Sequence, residues 1–208
     1  PHKPPTAATE VFDVTYQTST AGNTNFTTGF ASDAMLFTRT NDATDNYFTN
    51  RLLGGTTLPE TETSATPYND GNTYVFFDEP TGQMRQSALG GTNNDYIFYN
   101  FKRAPGFFDV VRYSGAGGVV THNHNLGVVP ELMIFKCTNA AENWFTYHKD
   151  FASPAHHVLL NLASSVNTNS GTLNNTAPTA SIFTVGNDNY SNGPSEHYFA
   201  LLFATLPG

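Results

Sequence analysis

Two stretches of this sequence resemble each other closely enough to decide the fold: AMLFTRTNDATDNYFTNR, residues 34–51, and LMIFKCTNAAENWFTYHK, residues 132–149. Phe37 aligns with Phe135 at a spacing of 98 residues, and the Thr-Asn pair that follows each phenylalanine keeps this spacing. Self-similarity at a fixed spacing is typical of chains built from repeated structural units. The pair therefore predicts that one unit occurs twice.

The similarity extends to both sides of this pair and keeps its order. Upstream, Val14–Tyr16 aligns with Val111–Tyr113 at a spacing of 97 residues. Downstream, YIFYNFKRAPG (96–106) aligns with YFALLFATLPG (198–208) at a spacing of 102. The growing spacing places a few extra residues in the loops of the second copy, where insertions are tolerated. The matches define a linker at residues 1–9, copy one at residues 10–106 and copy two at residues 107–208.

Both copies are expected to consist of β-strands. Their apolar segments are short, rich in Phe, Tyr, Val and Ile, and separated by Gly, Asn and Pro turns, a pattern typical of strands. The predicted strands are residues 11–16, 34–37, 73–77, 95–101, 108–113, 131–136, 181–185 and 198–203. Residues 154–164 fit neither period cleanly, and their surroundings favour a strand. About 100 residues is usual for one β-sandwich, so we predict two tandem antiparallel β-sandwich domains of jelly-roll type.

Composition excludes several classes of protein. Only 12% of the 208 residues are charged, the net charge is −8, and there is one cysteine. A disulfide scaffold is impossible with a single cysteine, and an acidic chain without a Lys/Arg cluster does not suit nucleic acid. The longest apolar run is far shorter than a membrane span. The Pro-rich start and the Pro-Gly end favour a fragment of a longer polypeptide over a complete, trimmed chain.

Copy two carries a resemblance to a known family. Residues 113–149, YSGAGGVVTHNHNLGVVPELMIFKCTNAAENWFTYHK, resemble a domain of virion proteins from tailed bacteriophages, frequent in marine and cyanobacterial phages. Residues 183–186 and 198–204 are similar to its later part. Copy one is a divergent match, because Phe26–Phe30 stands where copy two has its His-x-Leu-Gly-x-x-Pro element.

The resemblance implies a structural or adhesive role on a virion, in a tail fibre, a tail or a capsid projection. It also implies other virion proteins as partners, a homo-oligomer with a trimer favoured, and contact with a host-surface glycan. No catalytic residue and no cofactor can be transferred from the family. We therefore expect a non-enzymatic protein of the virion surface that binds neither nucleic acid nor membrane.

Histidine is the first residue type to consider for chemistry. Six of the seven histidines lie in copy two, and His122 and His124 share one face if their segment is a strand. This spacing makes them weak candidates for metal ligands, which need a third ligand and orienting partners. A structural role, in which the rings bond to backbone, is the favoured alternative.

Trp144 and Tyr190 are the candidate ligand-binding residues, because aromatic rings stack on the apolar faces of sugars. Trp144 aligns with Tyr47 of copy one, which favours a core position instead. Tyr190 lies in a predicted loop, where exposure is expected. Cys137 has no recognisable catalytic partner, and the carboxylates show no glycosidase pairing. The leading hypothesis is thus a virion attachment protein, and the alternative is a carbohydrate-binding module of a secreted or surface protein.

Overall fold

The computed structural model describes residues 4–19, 23–25, 28–41, 46–69, 75–77, 83–85 and 93–206. The fold of these residues is all-β, as predicted, with antiparallel sheets and two four-residue helices. The strands are β1 Phe12–Thr18, β2 Asn23–Asn25, β3 Ala34–Arg39, β4 Tyr47–Asn50, β5 Val75–Phe76, β6 Gln83–Arg85, β7 Asp95–Phe101, β8 Phe108–Ser114, β9 Val120–Asn123, β10 Leu132–Cys137, β11 Phe145–His148, β12 His156–Leu159, β13 Asn167–Thr168, β14 Ile182–Val185 and β15 His197–Phe203. The helices are α1 Ser170–Leu173 and α2 Asn189–Asn192. The ambiguous segment 154–164 contains strand β12, and the predicted strand 73–77 is described only from Val75.

The chain forms two compact units. The N-terminal unit comprises Pro5–Thr61 and Pro67–Arg103. The C-terminal unit comprises the chain from Ala104 onward, Pro1–Pro4, and Glu62–Thr66, which the repeat assigns to copy one.

The N-terminal unit is built on a four-stranded sheet with the order β1-β7-β3-β4. Alternate residues of strand β7 are buried, as expected for a strand with one face on a core. That core contains Met35, Phe37, Tyr96 and Phe98, and it also receives Val75 and neighbouring apolar residues. Val75 belongs to a three-stranded sheet of order β2-β6-β5, so two layers of β-structure enclose the core.

The C-terminal unit is built on a six-stranded sheet with the order β13-β12-β11-β10-β15-β8. A two-stranded sheet of β9 and β14 packs against it, and the ring of Phe183 on β14 lies 5.6 Å from the ring of Phe135 on β10. The core between these layers also contains Tyr113, Phe145 and Tyr198. The strand order β8-β15-β10-β11 repeats the order β1-β7-β3-β4 of the N-terminal unit.

Cross-strand pairing gives the register between the two copies. Phe12 lies opposite Phe101 in the four-stranded sheet, and Phe108 lies opposite Phe203 in the six-stranded sheet. Because Phe101 and Phe203 are aligned in the repeat, Phe12 corresponds to Phe108 at a spacing of 96 residues. The spacing of 97 inferred from sequence is wrong by one residue in this strand.

A shift of one residue moves a strand side chain to the opposite face of its sheet. Tyr113 is buried in the core, whereas Tyr16 is 59% exposed on the other face. The same correction applies to strand β4, where Tyr47 pairs with Phe37 as Phe145 pairs with Phe135. Tyr47 therefore corresponds to Phe145 and not to Trp144.

Candidate functional site

His122 lies in strand β9 and His124 follows directly after it, and the surroundings hold each ring in place. His124 is buried; its Nε2 lies 3.1 Å from the carbonyl oxygen of Thr179, and its Nδ1 accepts a hydrogen bond from the Leu126 amide. This pattern requires a neutral ring with the proton on Nε2. Burial lowers the pKa of His124, in keeping with the neutral form. The ring thus joins the loop after β9 to the segment before β14.

The ring of His122 packs on aromatic residues of the core. Its centroid lies 4.1 Å from the ring of Tyr113 and 5.5 Å from that of Phe183. Burial lowers the pKa of His122 as well. In the part of the chain that the structure describes, no three His, Cys, Asp or Glu side chains are grouped to hold a metal ion. The third ligand that a metal site would need is thus not found there.

Trp144 is buried completely and offers no ring face to a sugar. Its indole packs edge-on against Phe199, with 5.8 Å between the ring centroids, and the Lys136 ammonium lies 5.8 Å from the indole centroid. The core position that the sequence favours for Trp144 is confirmed, and its candidate role as a ligand-binding residue is replaced by a role in packing.

Lys136 is a buried cation that sequence reasoning did not single out. Its ammonium donates hydrogen bonds to the carbonyl oxygens of Ser64 at 3.2 Å, Ala65 at 3.0 Å and Glu142 at 2.6 Å. A buried charge must be compensated by hydrogen bonds or by an opposite charge. Here backbone carbonyls compensate it, and the lysine fastens segment 62–66 to the C-terminal unit.

Tyr190 lies in helix α2, at a polar surface formed by loops of the C-terminal unit. Asp188 caps this helix by accepting a hydrogen bond from the Tyr190 amide at 2.8 Å. The Asn143 amide reaches the Tyr190 hydroxyl at 3.4 Å, and Asn161 donates to Asn143 at 2.8 Å. The Tyr190 ring is partly buried, and it packs on the core of the C-terminal unit. We call Tyr190, Asn143, Asn161 and Asp188 the Tyr190 surface.

Acidic groups lie close to the Tyr190 surface. Burial, together with the charges of Glu196 and Asp188, raises the pKa of Glu142. The Lys136 charge and a hydrogen bond from Asn189 act in the opposite direction. This end of the unit thus combines amides, carboxylates and an aromatic ring, which are groups that can bind hydroxyl-rich ligands.

Asn192 is a second residue that sequence reasoning missed. Its side chain is buried; it accepts a hydrogen bond from the Ala116 amide at 2.8 Å and donates to the carbonyls of Gly118 and Gly186. The sequence Asn192-Gly193-Pro194 is by itself typical of a turn. The role of Asn192 depends on the segment of Ala116 and Gly118, more than 70 residues earlier in the chain, so no local signal reveals it.

A separate groove of about 280 Å³ is lined by Arg112, Tyr113, Ser114 and His197. The Ser114 hydroxyl lies 3.1 Å from Nδ1 of His197. A nucleophilic serine needs a base that a third group orients, and within the described ranges no carboxylate is bonded to His197. The groove offers hydrogen-bonding groups rather than an assembled catalytic set.

These features define an all-β protein whose polar residues hold loops in place. Residues 102–208 match the family described as Domain of unknown function (DUF7483), and the chain belongs to this family. No curated protein and no solved structure matches the chain. Among the described residues, no helix has the length and apolar character needed to span a membrane.

Proposed function

We propose that this chain is a structural and attachment component at the surface of a tailed-phage virion, in a tail fibre, a tail or a capsid projection. One observation carries the proposal: buried polar side chains of the C-terminal unit, His124, Lys136 and Asn192, bind the chain's own backbone. His124, Lys136 and Asn192 each join segments distant in sequence. Buried polar side chains that hold loops in place suit a protein whose role is to present a stable surface.

The resemblance of residues 113–149 to a domain of phage virion proteins supports the same proposal. The partners would be other virion proteins and further copies of the chain, with a trimer as the favoured state. A low charge fraction also suits large hydrated interfaces. The protein would act by its shape and surface, without a cofactor or a catalytic step.

The proposal is tested on gradient-purified particles of the phage that encodes the chain. Antibodies raised against residues 1–208 are expected to detect the protein in the particle band by immunoblot, at a constant ratio to the major capsid protein. Detection only in the soluble fraction of infected cells would contradict the proposal.

A second candidate function, glycan binding, rests on the Tyr190 surface. Here an aromatic ring lies beside two asparagine amides that are already ordered by hydrogen bonds. The chain is expected to bind a subset of host polysaccharides on a glycan array, and Tyr190→Ala to abolish binding without loss of folding. Tyr68→Ala is the matched control, since Tyr68 is an exposed tyrosine of the N-terminal unit. A wild-type chain that binds no glycan would exclude this function.

A further inference from the structure

The four-stranded sheet of the N-terminal unit has an apolar face on the side away from its core. Tyr16 lies opposite Ile97, and Tyr99 lies between Val14 and Leu36. Val14 is 50% exposed and Tyr16 is 59% exposed, while the other three are partly buried. We call these five residues the outer face. Contiguous exposed apolar groups of this kind are typical of interaction surfaces.

The corresponding positions of the six-stranded sheet are mostly buried. Val110, Ile134, Phe199 and Leu201 correspond to Val14, Leu36, Ile97 and Tyr99 through their cross-strand pairing. None of these four counterparts is more than 8% exposed. At these four positions the sheet of copy two is buried on this face, whereas the described residues of copy one leave the same face partly exposed.

Segment 62–66 lies over this second face of the six-stranded sheet, where Lys136 binds its carbonyl oxygens. The segment belongs to a loop closed by the bridge between Leu58 and Tyr68. Copy two contains an equivalent loop of equal length, closed by the pairing of His157 with Asn167. The spacing between the two loops is 99 residues, so segment 62–66 corresponds to residues 161–165.

The equivalent loop of copy two exposes apolar side chains. Leu160 and Leu162 are each 49% exposed, and Val166 is 48% exposed. The side chain of Asn161 holds the loop in place, because it accepts a hydrogen bond from the Trp144 amide and donates one to Asn143. The three apolar residues are thus presented on an ordered loop. We call residues 160–166 the apolar loop.

We propose that the apolar loop of one copy of this chain packs on the outer face of a second copy. The contact would repeat between two molecules the arrangement that segment 62–66 makes within the C-terminal unit. It concerns assembly and does not rest on the proposed function.

The chemistry of the two partners fits. Segment 62–66 is polar, and its carbonyl oxygens accept hydrogen bonds from the ammonium of Lys136 on strand β10. The corresponding residue on strand β3 is Thr38, which bears no charge, so the outer face suits an apolar partner. The apolar loop and the outer face contain no charged residue. In a chain of net charge −8, an uncharged contact avoids the repulsion between copies that acidic surfaces would cause.

Such a contact joins two different surfaces, so each copy uses its loop on one neighbour and its outer face on another. Contacts of this kind produce closed rings or open chains of molecules. This property supplies a sharp test, because a variant that lacks one surface still retains the other.

The test measures mass in solution by light scattering and sedimentation, up to about 1 mM chain so that weak contacts are populated. Tyr16→Glu places a charge on the outer face and is expected to prevent contact through it. Leu162→Glu does the same for the apolar loop. Each variant alone is expected to remain at the 22.6 kDa of one chain, whereas the wild type forms larger species. An equimolar mixture of the two variants is expected to form pairs of twice this mass and nothing larger.

Val119→Glu is the matched control, because Val119 is 61% exposed but belongs to neither surface. This variant is expected to assemble as the wild type does. Should Tyr16→Glu fail to fold, as judged by circular dichroism, Val14→Glu takes its place. A wild type that stays a single chain, variants that assemble alone, or a mixture that forms no pairs would each overturn the proposal.

Discussion

Replacement of Lys136 by methionine tests the interpretation that its ammonium fastens segment 62–66. Methionine keeps most of the apolar stem and removes the charge, which leaves the three carbonyl acceptors without their donor. An acceptor that loses its partner costs about 1 to 3 kcal/mol. Removal of the charge also returns the several kcal/mol spent on dehydrating a buried ammonium. We therefore expect Lys136→Met to lower the free energy of unfolding by about 2 kcal/mol.

Lys136→Ala removes three buried methylene groups as well. At about 0.8 kcal/mol for each buried methylene, this adds about 2 kcal/mol to the loss. Lys149→Met is the matched control, because Lys149 is exposed and its ammonium forms an ion pair with the exposed Asp150. An exposed ion pair contributes about 0 to 1 kcal/mol, so the control is expected to unfold nearly as the wild type does.

The assay is denaturant unfolding followed by tryptophan fluorescence. Trp144 is the single tryptophan and lies in the C-terminal unit, beside Lys136, so its emission reports on the unit that the substitution affects. Proteolysis at Glu62 by a Glu-specific protease provides a second readout and is expected to become faster in Lys136→Met. If Lys136→Met unfolds at the wild-type denaturant concentration and resists the protease equally, the fastening role is wrong.

Three further predictions concern the C-terminal unit. A Cβ atom at Gly186 would overlap the carbonyl oxygen of Gly171, so Gly186→Ala is expected to lower the free energy of unfolding by about 1 to 3 kcal/mol in the same assay. Gly118→Ala is the control and is expected to lower it much less, because the space around Gly118 is open. Burial raises the pKa of the Cys137 thiol, so a thiol reagent is expected to modify it only as fast as the chain unfolds, and rapid modification of the folded protein would contradict this. Burial lowers the pKa of His124 below its usual 6.5, so the unfolded chain binds a proton at a higher pH than the folded chain does. The melting temperature is therefore expected to fall as the pH drops below about 6.5, and His124→Gln is expected to weaken this dependence.

The strand content of the fold could be predicted from sequence because it depends on local features. Segments such as residues 95–101 and 198–203 combine strand-forming residues with flanking turns, and both form strands. The register of the first strand could not be predicted in the same way. The match of Tyr16 with Tyr113 predicts a register that is wrong by one residue. The Phe-Asp-Val sequence shared by residues 12–14 and 108–110 gives the register found in the structure.

The roles of the buried polar residues lay beyond sequence reasoning for a different reason. A lysine or asparagine in a strand or turn is usually exposed. Lys136 and Asn192 are buried because backbone carbonyls of segments distant in sequence accept hydrogen bonds from them. Such contacts are a property of the tertiary structure. A core position for Trp144 is favoured by the sequence, but its packing partner Phe199, 55 residues further along the chain, has no local signal.

The proposed function is tested most directly by electron microscopy of intact phage particles labelled with gold-conjugated antibodies against this chain. We expect gold at regular positions on the particle surface, on the tail, on its fibres or on capsid projections, and loss of the label when free chain is added as a competitor. Particles that stay unlabelled while antibodies to a known surface protein bind, or that become labelled only after disruption, would contradict a role at the virion surface.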